Sequence, residues 1–102
     1  MTERHETAYG IFEWDSDKNI ANIRKHKISF AEATEVFLDP FMIFQHDAAH
    51  SLIENRYKII GSIRQFRLVA VIVTDRSGVV RLISARKATK DEVREYEQAI
   101  PD

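Results

Sequence analysis

LVAVIVTDRSGVVRLISARKATKDEVREYE, residues 68–97, decides how this chain folds. Residues 68–74 are an almost unbroken apolar run, the pattern of a central strand covered on both faces. Asp75-Arg76-Ser77-Gly78 has the composition of a hairpin turn. Residues 79–85 therefore return as the last strand. Strict alternation would put Val80, Leu82 and Ser84 on one face and Val79, Arg81, Ile83 and Ala85 on the other. Thr89 and Glu92 form a capping box. The helix it starts turns Val93, Tyr96 and Ile100 inward, and Pro101 lies just past its end. Between strand and helix sit Arg86 and Lys87, two cations at a strand end.

Working towards the N-terminus, residues 56–61 alternate polar and apolar and read as a strand, with the next turn at residues 64–67. Residues 41–46 are strand-like behind Pro40, and residues 47–55 read as a loop. Ser29 and Glu32 make an earlier capping box, whose helix carries Phe30, Ala33, Thr34 and Phe37 on one stripe and stops at Asp39-Pro40. Asp15 can cap a helix through residues 18–26, with Ile20 and Ile23 pointing one way and Lys18, Asn22 and Lys25 sharing a polar face. Residues 10–14 are a short strand, and residues 1–9 read as a flexible tail. The predicted order is β-α-α-β-β-β-β-α. It describes one α+β domain over residues 10–102, with two N-terminal helices and a C-terminal helix packed on one face of a twisted, mostly antiparallel sheet.

The 102 residues are 44% hydrophobic, which suits a single modest core. No apolar stretch is long enough to span a bilayer, and the polar start lacks the apolar middle of a signal peptide. Cysteine is absent, which removes disulfides and thiolate metal sites and suits a reducing, cytoplasmic setting. A net charge of −1 conceals segregation. Residues 56–90 carry nine Lys/Arg against the single acid Asp75. That block coincides with the strands, so its charge belongs on a sheet face or at strand ends, where it attracts polyanions.

Arg81 and Arg86 are candidates for a phosphate clamp, since guanidinium grips phosphate in a bidentate way. Ion pairing with Glu54 or Glu92 is the structural alternative. Lys25 and His26 close the first helix, where the helix dipole alone favours cations; His26 can also move protons near neutrality. His46, His50 and Glu54 could be imagined around a metal, but their spacing is not the helical metalloprotease motif, and neither a metal nor a cofactor is expected. Trp14 could stack on a base, although a lone Trp in a small domain more often packs.

FEWDSDKNIANIRKHKISFAEATEVFLDP, residues 12–40, together with VRLISARKATKDEVREYE, residues 80–97, resembles the BrnT toxins of bacterial toxin–antitoxin pairs. The resemblance runs over nearly the whole chain. It implies a RelE-like fold, RNA cleavage that arrests translation, and neutralisation by a cognate DNA-binding antitoxin, in a heterotetramer. The positions matching the family pattern are Trp14, Asp15, Lys18, Asn19, Asn22, Lys25, His26, Arg56, Arg81, Arg86 and Thr89. The chain departs from the pattern at two turns: Lys27 stands where Gly is usual, and Gln65-Phe66-Arg67 where a Gly commonly precedes the central strand.

Metal-free RNA cleavage by a neighbouring 2′-hydroxyl needs proton transfer and cations around the phosphorane. The expected catalytic set is Lys25, His26, Glu54, Arg81 and Arg86, with RNA held by Trp14, Lys18, Arg56, Arg64, Arg67 and Lys87. The competing expectations are a catalytically weak module that binds antitoxin and helps repress a promoter, and a metal-dependent hydrolase built on His46, His50 and Glu54.

Overall fold

The computed structural model describes residues 1–50, 53–64 and 67–101, with His50 described in its backbone only. Among the described residues six strands form one mixed sheet: β1 (Thr2–Thr7), β2 (Gly10–Asp15), β3 (Ile43–His46), β4 (Arg56–Ile63), β5 (Arg67–Arg76) and β6 (Val79–Lys87). Their spatial order is β1-β2-β6-β5-β4-β3. All neighbours are antiparallel except β2 and β6, which run parallel through Phe12–Val80 and Glu13–Arg81. The helices are α1 (Ser16–His26), α2 (Phe30–Ala33), continued as a 3-10 turn over Thr34–Leu38, and α3 (Lys90–Ala99).

All three caps predicted from the sequence form. Asp15 accepts from the Lys18 N–H, and Ser29/Glu32 and Thr89/Glu92 make reciprocal capping boxes. Lys27 takes the left-handed conformation, φ 61°, at the C-cap of α1 and donates its N–H to the Ile23 carbonyl. The turn that a Gly would make is thus made here by a Lys. The second departure falls mostly on residues 65 and 66, outside the described residues.

Three expectations are corrected. First, residues 2–7 are a strand. β1 pairs along the whole of β2, from Thr2–Asp15 to Thr7–Gly10, because a polar strand with one dry neighbour can satisfy its outer edge with water. Second, the helices do not share one face. α1 and α2 lie over the face that buries Phe12, Trp14, Ile59, Val69, Val71, Val73, Leu82 and Ala85 with Ile28, Phe30, Ala33 and Val36. α3 lies on the other face, since its Glu92 pairs with Lys58, the neighbour of Ile59 on β4, and with Arg86, the neighbour of Ala85 on β6. Third, β6 does not alternate strictly. A bulge opposite Ile72/Val73 leaves Ile83 between Leu82 and Ser84, so Leu82 and Ala85 both point into the core.

The sequence reading also turned the face of α1 the wrong way. Asn22 is the residue it buries, whereas Ile20 and Ile23 are 48% and 40% exposed. Asn22 is buried because it stands in for a missing strand. β2 pairs with β6 only at residues 80 and 81. Further along β6, Asn22 Oδ1 accepts from the Ala85 N–H at 3.1 Å, and its Nδ2 donates to the carbonyls of Ala85 and Ile28 at 2.8 and 2.9 Å. Asn19 Oδ1 likewise accepts from the Phe30 N–H, tying α1 to the start of α2. Asp39 does similar work at the other side of the sheet. Its Oδ2 accepts from the Ser62 N–H, beyond the end of β3 pairing, and from Tyr96 of α3 at 2.6 Å.

Candidate nucleic-acid interface

The face carrying α3 is only partly covered by it. Arg86 faces Ala70 across the β5–β6 ladder, Ser84 faces Ile72, and Arg81 faces Thr74. On the other side of β5, Ile60, Lys58 and Arg56 stand opposite the same three residues. Three rows therefore cross the sheet: Ile60–Ala70–Arg86, Lys58–Ile72–Ser84 and Arg56–Thr74–Arg81. Ile60 and Ala70 are fully buried. The middle row opens into a groove of about 480 Å³ lined by Gln45, His46, Asp47, Arg56, Lys58, Ile72, Ile83, Ser84 and Arg86.

The bulge at Ile83 assembles this face. Residues 81 and 86 are an odd number apart and would point to opposite faces of a regular strand. The extra residue brings Arg81 and Arg86 to the same side as Arg56 and Lys58. They do not converge on one phosphate: they stand opposite Ala70 and Thr74, about 13 Å apart along β5, and each turns to its own carboxylate, Glu13 or Glu92. The expected clamp is instead a track of cations.

Each cation has anionic company. Arg86 makes a forked pair with Glu92, at 2.6 and 3.0 Å, and Lys58 Nζ reaches the same carboxylate at 2.9 Å. The Arg86 hydrogen bonds, the Thr89 N–H and Lys58 together outweigh burial and hold the Glu92 carboxyl down at about 2. Arg86 is raised by the same bonds. Glu92 is thus ionised throughout the neutral range, and the three groups together keep one net positive charge. Arg81 lies beside Glu13, its partner across the parallel ladder, at 3.4 Å and at the same distance from Thr2 Oγ1. Glu54 contacts Arg76 at 3.3 Å and Arg56 at 4.0 Å.

The other expected residues lie elsewhere. Trp14 is 4% exposed, packs edge-on to Phe30 and donates Nε1–H to Glu3, so it is a core residue and offers no free ring to a base. Lys18, Lys25 and His26 belong to α1, on the opposite layer from the groove. Arg64 is exposed and paired with Glu35 at 2.8 Å, and Arg67 is paired in register with Ile63 at the far end of β5. Lys87 is exposed at the end of β6 beside α3. Of the imagined metal ligands, Glu54 is engaged by arginines and His46 Nε2 lies 3.2 Å from Asn55 Oδ1, while the His50 side chain is outside the described residues. Among the described residues no three His, Cys, Asp or Glu side chains group to hold a metal.

Sequence reasoning missed Lys58, Ser84, Ile72 and His46 as groove residues. Lys58 was within reach, because it shares the two-residue period with Arg56. The others depend on which part of the sheet α3 leaves uncovered.

Fold and groove define a class: a small α+β protein with an open groove on one sheet face, lined by Arg56, Lys58 and Arg86 together with Asp47. Residues 14–92 match the ribonuclease toxin BrnT of type II toxin–antitoxin systems, and the chain belongs to that family. The 1.1 Å crystal structure of the Brucella abortus ribonuclease toxin, BrnT, is similar, with a TM-score of 0.58 and 28% identity, covering 76% of this chain and 94% of that one. None of the curated proteins compared matches the chain. Family membership makes RNA the substrate class and an antitoxin protein the partner. No helix among the described residues is long and apolar enough to cross a membrane.

Proposed function

We propose that the protein is a RelE-like endoribonuclease of the cytoplasm. It cleaves RNA without a metal ion by attack of the substrate's own 2′-hydroxyl, and so arrests translation. One observation carries this reading: four cations, Arg56, Lys58, Arg81 and Arg86, share one sheet face in a chain of a ribonuclease toxin family. Attack by the 2′-oxygen on phosphorus expels the 5′-oxygen and leaves a 2′,3′-cyclic phosphate. Negative charge grows on the phosphorane oxygens, so preplaced cations stabilise the transition state most.

For proton transfer the geometry favours His46, which lines the groove, over His26, which sits on the other layer. Glu54 is the weaker choice, since two arginines already engage its carboxylate. Lys25 acts from the α1 surface, by steering RNA. A DNA-binding antitoxin neutralises the toxin by covering the cationic face, in a heterotetramer.

The test is cleavage of RNA and of DNA of the same sequence by antitoxin-free protein in excess EDTA. RNA is expected to be cut to a 2′,3′-cyclic or 3′-phosphate and a free 5′-hydroxyl, with DNA intact. Products with 5′-phosphates, or activity that EDTA abolishes and a divalent ion restores, would refute the mechanism. A second reading, a catalytically weak antitoxin-binding co-repressor, draws support from Glu92, which already occupies both Arg86 and Lys58. Antitoxin binding with no RNA cleavage under any of these conditions would favour it.

A further inference from the structure

Ile72 and Ile83 are out of place for structural residues. The apolar run of β5 reads as a strand covered on both faces, yet at Ile72 the second cover is missing. α3 buries the adjoining row, Ile60 and Ala70, and stops short of Ile72. Ile83 is the bulge residue, pushed out between core-facing Leu82 and groove-facing Ser84. Both isoleucines remain half-buried and line the groove, and neither joins the core cluster. A sheet face open to water ordinarily carries polar residues at such positions. Here two β-branched apolar side chains lie among Arg56, Lys58, Arg86 and Ser84, with Gln45, His46 and Asp47 along the β3 side.

An apolar patch bordered by three cations matches the chemistry of one nucleotide, whose base has two apolar faces and whose flanking phosphates are anionic. Bases in a duplex hide those faces by stacking, whereas single strands can splay one out. A groove of about 480 Å³ is of the size that small-molecule sites have. We propose that Ile72 and Ile83 seat a single unstacked nucleobase of the RNA, with Ser84 at its edge and Arg56, Lys58 and Arg86 on the phosphates to either side. The seat rests on the ribonuclease reading above and deepens it. It fixes which nucleotide is held relative to the scissile phosphate, so recognition is local and needs an unpaired segment. The patch is aliphatic, so it favours an unstacked base without selecting strongly among bases; selection is left to polar groups at the edge.

The experiment is an abasic scan. A 2′-O-methyl RNA oligonucleotide, which cannot be cut, is bound by the whole protein with one base at a time removed. Removal at one position is expected to weaken binding by up to about tenfold, the low end of what a base stacked on an aromatic ring contributes, and removal elsewhere to do little. In Ile72→Thr and Ile83→Thr proteins that single-position loss should vanish while the dependence on salt stays as in the wild type, because the cations are untouched. Circular dichroism and melting establish that these variants fold, and threonine keeps the β-branched shape the strands favour. A flat scan with wild-type protein that nonetheless binds and cuts RNA would overturn the base seat and leave the ribonuclease reading standing. Failure of the wild type to bind or cut any RNA would overturn both. Unchanged RNA binding by the threonine variants with loss of antitoxin binding would overturn the seat and assign the patch to the partner protein.

Discussion

At Arg86 the two terminal nitrogens donate to Glu92, a carboxylate that also caps α3 through the Thr89 N–H. The sequence reading set a phosphate clamp at Arg86 against ion pairing with Glu54 or Glu92, and the pair with Glu92 is present. Arg86→Ala would leave a carboxylate that is 4% exposed with Lys58 as its remaining cationic partner. Removing one side of a buried pair costs about 3–5 kcal/mol; with Lys58 still present, a loss of about 2–3 kcal/mol is expected. Thermal melting would read this as a drop of roughly 10 °C or more, alongside lost cleavage. A melting temperature within a degree or two of wild type would show that the pair contributes nothing. Acid sensitivity follows from the same carboxyl. Its folded value, about 2, lies below its ordinary 4.5. Its contribution is therefore complete above pH 4.5 and is lost as pH falls towards 2, amounting to at most about 3 kcal/mol. Urea titrations between pH 6 and pH 3 should show a steeper loss for wild type than for Glu92→Gln.

On the scale of whole elements, two polar side chains complete a sheet whose strands end at different places. Asn22 extends the β6 ladder where β2 stops, and Asp39 extends that of β4 where β3 stops. Asn22→Ala would leave the Ala85 N–H and carbonyl and the Ile28 carbonyl unpaired in a dry site. At about 1–3 kcal/mol for an unsatisfied buried group, the cost is expected to reach about 3 kcal/mol. Hydrogen exchange should show the loss first at the Ala85 amide and in α1. Protection at Ala85 equal to wild type would mean that water replaces the side chain. β5 gives the complementary case. Val71 is fully buried in the helix-covered core, and Val71→Asp is expected to abolish folding, because the charge would have no partner. Soluble Val71→Asp with a native-like far-UV spectrum would contradict this.

For the molecule as a whole, cations gather on both layers. The sheet face beside α3 carries Arg56, Lys58, Arg81 and Arg86, and the C-terminal turn of α1 on the other layer carries Arg24, Lys25 and His26. A partner approaching the α3 side meets a track of cations at the ends of its rows. If the antitoxin covers that track, reversing Arg56 and Arg81 to Glu should slow association about tenfold at low salt and flatten its salt dependence, with a smaller effect on dissociation. Stopped-flow association measured at several salt concentrations checks this. Unchanged rates would put the antitoxin on another surface. The same kinetic comparison applied to proton transfer separates the layers: His46→Gln should lower kcat by about 10²–10⁴-fold, and His26→Gln by far less. The reverse order would move the chemistry to the α1 layer.

Capping boxes, hairpin turn and strand periods were legible in the sequence because each depends on residues within a few positions of one another. Asp15, Ser29, Thr89 and the turn before Val79 all stand where local chemistry predicts. The cation-rich block of residues 56–90 was likewise legible as a concentrated field on the sheet. The arrangement of that field was not. Whether Arg81 and Arg86 share a face depends on one bulge residue, Ile83, and a bulge has no local signature in an apolar run. Likewise, Asn22 faces inward past two isoleucines because a strand ends nearby, which only the assembled sheet can show. Strand β1 forms because β2 offers it an edge, and α3 crosses to the far face because Arg86 and Lys58 wait there for Glu92. For Asn22 and for the face that α3 takes, a deciding partner, Ala85 or Lys58, is distant in sequence, so the free energy that settles the choice exists only once the sheet has formed.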